Sequence, residues 1–201
     1  VIPVTWTNAL FFNLGFVPAR WAVLDGPGWG PGWQGLISPF THQFLHAGPV
    51  HLIVNMVMLA AFGAGVAKLL GGRRLVAIYL VSGLAGAALH GAFYPETTIP
   101  VVGASGAISG LFGAVLRLMA KQAQVMGERT RILPVALIWL GIAVLTGFTG
   151  VPGAGGGAQV AWAAHVGGFL LGLLAFDLFT LGLHRRRPRR IRDVDDDDFR
   201  A

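Results

Sequence analysis

Residues 103–120 read GASGAISGLFGAVLRLMA. The stretch carries no charge before Arg117, and as a helix rising 1.5 Å per residue it extends about 27 Å, close to the thickness of the hydrocarbon layer of a bilayer. Its small residues Gly106, Gly110 and Gly113 recur three or four positions apart, so they fall on one helix face. Such a face lets a second helix approach backbone to backbone. The stretch therefore predicts a membrane-spanning helix that packs closely against another.

Apolar segments of similar length lie on both sides of this stretch. With it, they make five predicted spans: Val50–Leu70, Leu75–Phe93, Gly103–Ala120, Ile132–Phe148 and Val160–Leu183. The N-terminal stretch Val1–Val17 is apolar but shorter, and we expect it to be a weak or truncated first span. The pattern predicts an all-α, polytopic membrane bundle of six transmembrane helices that occupies residues 1–183.

The composition agrees with a membrane protein. Of the 201 residues, 54% are hydrophobic and only 12% are charged, compared with about 25% charged residues in an average soluble domain. The chain has no cysteine. Disulfides and thiolate nucleophiles are therefore excluded, and any covalent chemistry must use Ser, Thr, Lys or a carboxylate.

The basic residues set the predicted orientation. If the spans alternate in direction, fourteen of the fifteen Lys and Arg residues lie on one side of the membrane and only Arg20 lies on the other. Loops rich in Lys and Arg stay in the cytoplasm, so Tyr94–Val102 and Thr149–Gln159, which have neither, face outward. The net charge of +6 is thus explained by topology, and no nucleic-acid partner is predicted.

Two further segments are predicted to meet lipid. The outer segment Pro18–Pro39 is rich in Gly and Pro and contains three tryptophans, which favour the headgroup zone, so we expect it to rest on the outer interface. Residues 184–201 begin HRRRPRR and contain the acidic run DVDDDD at positions 193–198. We expect them to form a disordered cytoplasmic tail whose basic part lies against anionic membrane lipids.

Four polar side chains stand out at the outer ends of three spans: His51, Asn55, Ser105 and His165. His51 and Asn55 are four residues apart on one helix face. Ser105 lies at the outer start of its span, and His165 lies about five residues into the last one, so all four fall within roughly 10 Å of the outer interface. Polar groups inside a bilayer are costly and need a partner or a function. Their common depth predicts a single site.

The chemistry predicted for this site is acyl transfer. Gly168 and Gly172 lie on the face of the helix that carries His165, and small residues on both helices would bring Ser105 within hydrogen-bond reach of that imidazole. A serine hydroxyl beside a histidine base is the arrangement of a nucleophilic hydrolase.

No third, orienting carboxylate is within reach. Asp177 is the only acid in the last span and lies twelve residues beyond His165, about 18 Å deeper. The sequence therefore predicts a dyad rather than a triad.

Donors for an oxyanion are available around the serine. The side chains of His51 and Asn55 carry N–H groups, and the backbone at Gly103, Ala104 and Ser105 begins a helix, where N–H groups are unsatisfied and the helix dipole is positive.

Other interpretations remain open for these residues. A serine in a membrane helix often bonds to a carbonyl of its own helix, and a buried His or Asn can simply tie helices together. A metal-handling or transport protein could use His42, His46, His51 and His165, but the chain lacks His-Glu-x-x-His and has no acid near these histidines, so no metal site is predicted. We expect His42, His90 and His184 to be structural or interfacial.

Three motifs follow one another on separate spans: His46-x4-His51-x3-Asn55, then Gly103-Ala104-Ser105-Gly106, then Ala164-His165-x2-Gly168-x3-Gly172. In this order the chain resembles the rhomboid intramembrane serine proteases, of the bacterial type. The resemblance covers almost the whole chain before the tail.

The resemblance implies a six-helix bundle in the plasma membrane of a bacterium, whose site opens to the extracytoplasmic side. It implies cleavage of transmembrane protein substrates near their outer ends, with Ser105 as nucleophile, His165 as base and then acid, and an acyl-enzyme intermediate. His51, Asn55 and the Ser105 amide would surround the oxyanion, and no metal or cofactor is implied. The alternative is a catalytically silent rhomboid-like protein that binds membrane clients.

Overall fold

The structure is a computed structural model that describes residues 4–22, 32–129, 131–149 and 161–181. The helices are α1 Val4–Leu14, α2 Ala19–Ala22, α3 Gly32–Thr41, α4 Pro49–Leu70, α5 Gly72–Phe93, α6 Ser105–Val125, α7 Ile132–Thr149, α8 Trp162–Leu174 and α9 Phe176–Phe179, with a 3-10 turn at His42–Phe44. Within these ranges the extended structure is limited to one antiparallel bridge between Phe16 and Val101. The predicted all-α class is confirmed. The predicted tail, residues 184–201, lies outside the described residues, as does nearly all of the outer loop at 149–159.

Two of the described helices are long and apolar enough to cross a membrane by length and composition. They are α4 and α5, each of 22 residues, with mean hydropathies of 2.0 and 1.7. Ile132–Leu145 and Trp162–Leu174 form shorter apolar helices. Many large apolar side chains of α4 and α7 are exposed, among them Ile53, Val57 and Ile138, each more than 60% accessible. Surfaces of this kind suit a lipid environment.

A tight turn separates α4 from α5. Pro49 begins α4, a position where its missing N–H costs no hydrogen bond. At the other end, Gly71 has φ +88° and its N–H bonds to the Ala67 carbonyl. The left-handed conformation favours glycine and stops the helix. The next helix starts at once, which places Arg73 and Arg74 in its first turn.

Helix α6 lies at the centre of the bundle and packs against α4, α5, α7 and α8. Its approach to α8 is backbone to backbone: a Cβ added at Gly168 would overlap the carbonyl oxygen of Gly106, and one at Gly172 would overlap that of Gly110. Helix α5 approaches α8 in the same way, because a Cβ added at Gly86 would lie 2.6 Å from the Ala164 carbonyl oxygen. Small residues thus bring α5, α6 and α8 together.

Apolar side chains fill the spaces that the glycines leave. One buried cluster contains Val66, Leu70, Ile78, Leu111, Ala114 and Phe176. A second cluster joins α6, α7 and α8 through Leu116, Ala136 and Phe169. Close packing at these clusters fixes the relative positions of the helices that carry the polar site.

The predicted last span, Val160–Leu183, is interrupted. Helix α8 ends at Leu174, and the short α9 follows after Ala175. Asp177 lies in α9 and forms ion pairs with Arg117, at 3.0 Å, and with Lys121. Arg74 of α5 donates through Nε to the carbonyl of Phe179, at 2.8 Å. These polar contacts hold α9 in a turn that apolar periodicity does not predict.

The outer segment Pro18–Pro39 contains more helix than its composition predicts. Its second half is α3, which continues through Pro39 to Thr41. Trp33, Leu36 and Phe40 share one exposed face of α3, whereas Ser38 on another face is fully buried. This amphipathic arrangement is typical of a helix that rests on an interface. Trp29, which is part of the same prediction, lies outside the described residues.

Candidate active site

Ser105 and His165 are in direct contact. Ser105 is the first residue of α6, and His165 is the fourth residue of α8. The Ser105 Oγ and the His165 Nε2 are 2.7 Å apart, and both residues are half-buried. The glycine contacts between α6 and α8 lie directly below this pair, so the packing that joins the helices also sets this distance. A hydroxyl so placed can transfer its proton to the imidazole as it attacks an electrophile.

The backbone at Gly103 makes room for a second histidine. Gly103 has φ +129°, which favours glycine. A Cβ added there would lie 2.8 Å from Cε1 and 2.9 Å from Nε2 of His51, and 3.7 Å from Ser105 Oγ. The missing side chain therefore leaves the space in which the His51 ring approaches the serine.

The His51 ring presents an N–H to the serine. Its Nδ1 lies 3.3 Å from the backbone nitrogen of Ala47 and accepts that N–H. A neutral imidazole that accepts at Nδ1 carries its proton on Nε2, and Nε2 and Cε1 form the edge of the ring that lies beside Gly103. His46 packs against the ring edge-on, with centroids 5.2 Å apart. His51 can thus donate a hydrogen bond into the space beside Ser105.

Asn55 lies one turn below His51 and is buried, with 4% of its surface exposed. Its Nδ2 donates to the His51 carbonyl at 2.8 Å. A side-chain amide has two N–H donors, so this bond fixes the amide and leaves a second donor. The structure thus joins Asn55 to His51 on α4, and it places the His51 ring beside Gly103, two residues before the serine.

The Gly103 N–H is not free to act as the oxyanion donor that the sequence predicted. It donates to the carbonyl of His42 at 2.9 Å, so the contribution of Gly103 is the space for His51. Ala104 is fully buried, and its carbonyl accepts the first helical hydrogen bond of α6, from Ile108. The N–H groups of the first turn of α6 lie beside the Ser105 side chain, where a developing negative charge is favoured.

His42 supports the site through its backbone. The residue is buried, and its Nδ1 donates to the Ser38 carbonyl at 3.1 Å. Burial lowers the pKa of His42 to about 4, so the ring is neutral at pH 7. Its carbonyl holds Gly103 and therefore the turn that leads into Ser105. Sequence reasoning assigned His42 a structural role but missed this bond, because a backbone carbonyl leaves no signal in the residue type.

An aromatic cluster holds the N-terminal end of α8. Trp162 lies one turn before His165, and its Nε1 donates to the Tyr94 hydroxyl at 2.8 Å. Phe93 packs against the Trp162 ring, with centroids 5.2 Å apart. The contacts tie the first turn of α8 to the end of α5. Sequence reasoning missed this cluster, although aromatic residues at the predicted outer interface were the available signal.

In the described part of the chain, no acidic side chain forms an ion pair with His165. Asp177 pairs with Arg117 and Lys121 near the other end of α6. In the same ranges, no group of three or more His, Asp or Glu side chains has an arrangement that could hold a metal ion.

The rhomboid domain is the protein-family description that matches this chain, over residues 34–181. This match includes α4 to α9 and all four polar residues of the site. The chain belongs to the rhomboid family. The resemblance predicted from the three motifs is therefore confirmed, and together with its apolar helices the membership makes this an integral membrane protein with a rhomboid-type function.

Similar proteins include named rhomboid proteases. Putative rhomboid protease YdcA of Bacillus subtilis (strain 168) is 33% identical over 177 residues, which are 85% of this chain and 76% of that protein. Rhomboid protease GluP of the same organism is 30% identical over 145 residues, 71% of this chain but 25% of that protein. RHOMBOID-like protein 4 of Arabidopsis thaliana is 33% identical over 132 residues, 66% of this chain. This rhomboid chain spans about a third of RHOMBOID-like protein 4 and a quarter of GluP.

Proposed function

We propose that this rhomboid protein is an intramembrane serine endopeptidase that cleaves transmembrane segments of other membrane proteins near their outer ends. The observation that carries the proposal is the 2.7 Å contact between the Ser105 Oγ and the His165 Nε2. Two relatives named as rhomboid proteases, YdcA and GluP, support it.

The proposed reaction runs through an acyl-enzyme. His165 Nε2 takes the hydroxyl proton while the Ser105 Oγ attacks the scissile carbonyl, and the carbonyl π electrons move onto its oxygen. When the tetrahedral intermediate collapses, the C–N bond breaks and His165 gives the proton to the leaving amine. Water then attacks the Ser105 ester with His165 as base. The ester bond breaks, the carboxylic acid product leaves and the serine hydroxyl is restored.

The oxyanion of this intermediate would be stabilised by three kinds of donor. The His51 ring has its N–H at Nε2, on the ring edge that lies beside Gly103. Asn55 has a second amide N–H, and the first turn of α6 presents backbone N–H groups. Donors fixed before the reaction cost no reorganisation when the charge develops. The His51 ring beside Gly103 and the helix N-terminus at Ser105 support acyl transfer over a purely structural role.

In the proposed mechanism His165 works without a carboxylate partner. Asp177 is held by Arg117 and Lys121 on the far side of the bundle. The glycine-packed backbone of α8 and the Trp162–Tyr94 bond keep the His165 turn in place instead. The dyad is thus oriented by helix packing.

We further propose that the chain crosses the membrane six times, with the membrane domain in residues 1–183 and the tail, 184–201, in the cytoplasm. The site would open to the extracytoplasmic side of a bacterial plasma membrane. The basic residues at the starts of α5 and α7 and at the end of α6 support this orientation. The partners would be transmembrane protein substrates and the surrounding lipids.

The experiment that tests the function is cleavage of a single-span reporter protein by the purified chain in liposomes. The wild type is expected to cut the reporter near its outer end, and Ser105→Ala is expected to lose this cleavage. Ser109→Ala is the matched control, because Ser109 is a buried serine one turn along the same helix, and it should keep cutting. Cleavage by Ser105→Ala would refute the proposal, and a wild type that binds the reporter without cutting it would favour the silent, client-binding alternative.

A further inference from the structure

A cavity of about 280 Å³ opens at the inner end of the bundle, away from the Ser–His site. It is lined by Arg117 of α6, Ile132 of α7, and Leu173 and Leu174 of α8. Its walls come from the helix that begins at Ile132 and from the helix that ends at Leu174. In the proposed topology, the cavity therefore lies where these two helices meet the inner boundary of the membrane. Leu174, which is 74% exposed, lies at its edge.

The charge at this cavity is not balanced. Arg117 and Lys121 both pair with one carboxylate, that of Asp177, which leaves one positive charge in excess. Arg131, which is exposed, immediately precedes the lining residue Ile132 and adds another. A guanidinium group has five N–H donors, and the bond to Asp177 engages only the Arg117 Nη2. The cavity can accept a second anion beside Asp177.

The residues that line the cavity determine which kind of anion can bind. Three of the four lining residues are aliphatic, so a small hydrophilic anion would gain one cationic contact and bury its other oxygens against hydrocarbon, which is costly. A phospholipid has an anionic group joined to acyl chains and matches both parts of the cavity. Basic pockets between membrane helices at the cytoplasmic side bind anionic lipid headgroups.

We propose that this cavity binds an anionic phospholipid of the cytoplasmic leaflet. The phosphate contacts Arg117, with Lys121 and Arg131 at the rim. The upper part of an acyl chain lies against Ile132, Leu173 and Leu174. The bound lipid joins α6, α7 and α8 at the end opposite the active site. The proposal rests on the proposed topology but not on proteolysis.

The test measures phosphatidylglycerol binding to the full chain in zwitterionic detergent by native mass spectrometry. Arg117→Gln is expected to lower the apparent affinity for phosphatidylglycerol about fivefold, given the known contribution of one basic residue at a membrane surface. Arg73→Gln is the matched control, because Arg73 is exposed at the start of α5, the same end of the bundle, and it should leave the affinity unchanged. Equal losses in the two variants would overturn the proposal in favour of general surface charge.

Two further variants separate lipid binding from folding. Asp177→Asn removes the ion pair but keeps both cations, so it is expected to bind phosphatidylglycerol at least as tightly as the wild type. A loss of binding in Asp177→Asn would mean that Arg117 acts only through the ion pair, and it would overturn the proposal. Ile132→Trp fills the cavity without changing its charge and is expected to abolish the selective binding. Retained affinity in this variant would contradict the site.

Competition by inorganic phosphate tests whether the cavity binds a phospholipid or only a free phosphate ion. Phosphate added to the wild type is not expected to displace phosphatidylglycerol at equal concentration, because it makes no contact with the aliphatic walls. Equal competition by phosphate would show that only the cation matters, and the lipid assignment would be wrong.

Discussion

His51 has a defined ring orientation that gives it a role beyond burial. The Ala47 N–H at 3.3 Å occupies its Nδ1, so the ring proton is on Nε2, beside Gly103 and the serine hydroxyl. Asn55 holds the His51 carbonyl one turn below. The two side chains thus form one donor group on α4.

Removal of the Asn55 amide tests this donor group. Asn55→Ala is expected to lower the rate of reporter cleavage by about 10²–10³, the usual cost of losing one preorganised oxyanion donor, with a smaller change in the reporter concentration that gives half-maximal rate. Asn8→Ala, at an exposed position of α1, is the control and should cleave at the wild-type rate. An Asn55→Ala protein with normal thermal stability and full activity would contradict the role of Asn55.

At the residue scale, the depth of each polar residue in its helix could be predicted from the sequence. Within two turns of the N-terminal ends of their helices lie Ser105, His165, His51 and Asn55. The rise per residue therefore predicts a similar depth for all four. The use of the Gly103 N–H could not be predicted, because its acceptor is the carbonyl of His42. That bond depends on how the 3-10 turn at His42–Phe44 packs against α6.

At the scale of helices, glycine rows set how α6 and α8 approach. A Cβ at Gly168 would overlap a backbone oxygen of α6, and a backbone atom cannot rotate away as a flexible side chain can. The two helices would have to separate. The Ser–His contact lies at the end of the same interface, so separation would lengthen it.

Gly168→Ala is therefore expected to destabilise the protein by about 1–3 kcal/mol, typical of an overpacked core, and to reduce cleavage as well. Gly141→Ala is the matched control, since no atom lies within 4 Å of a Cβ added at Gly141. The thermal unfolding midpoint in detergent and the cleavage rate are to be measured for both. Similar midpoints for the two variants would show that the glycine contact does not hold the helices together.

Helix positions could be predicted closely where apolar runs are bounded by Gly, Pro or charge. The predicted Val50–Leu70 and Leu75–Phe93 agree with α4 and α5 to within three residues at each end. The break after Leu174 could not be predicted, because Asp177 finds its partners on α6, about sixty positions earlier in the chain. Likewise α3 continues through Pro39, a residue that composition alone reads as a helix breaker.

For the whole molecule, orientation in the membrane follows from the distribution of charge. Glu96 follows α5 and is exposed, and Glu128 follows α6 and is exposed as well. The proposed topology places them on opposite sides. The chain has no cysteine, so single cysteines can be introduced without a background.

In intact cells, a membrane-impermeant maleimide is expected to label Glu96→Cys but not Glu128→Cys. After permeabilisation both should be labelled. Labelling of both variants from the outside would contradict the topology, and labelling of Glu128→Cys alone would invert it.

The all-helical architecture and the family could be predicted from the sequence, because apolar length and the three spaced motifs are properties of the chain itself. The relation of the bundle to the outer loop at 149–159 and to the tail lies outside the described residues. The balance of charges at Arg117 needed the structure, since Lys121 and Asp177 meet only once α9 has turned.

The most direct test of the central claim, that His165 activates Ser105 as a nucleophile, is covalent labelling with a fluorophosphonate probe followed by peptide mass spectrometry. The wild type is expected to carry the label on Ser105, and His165→Asn is expected to react about 10²–10⁴ times more slowly, as for the loss of a general base. Label on another residue, or equal labelling of the wild type and His165→Asn, would contradict the account.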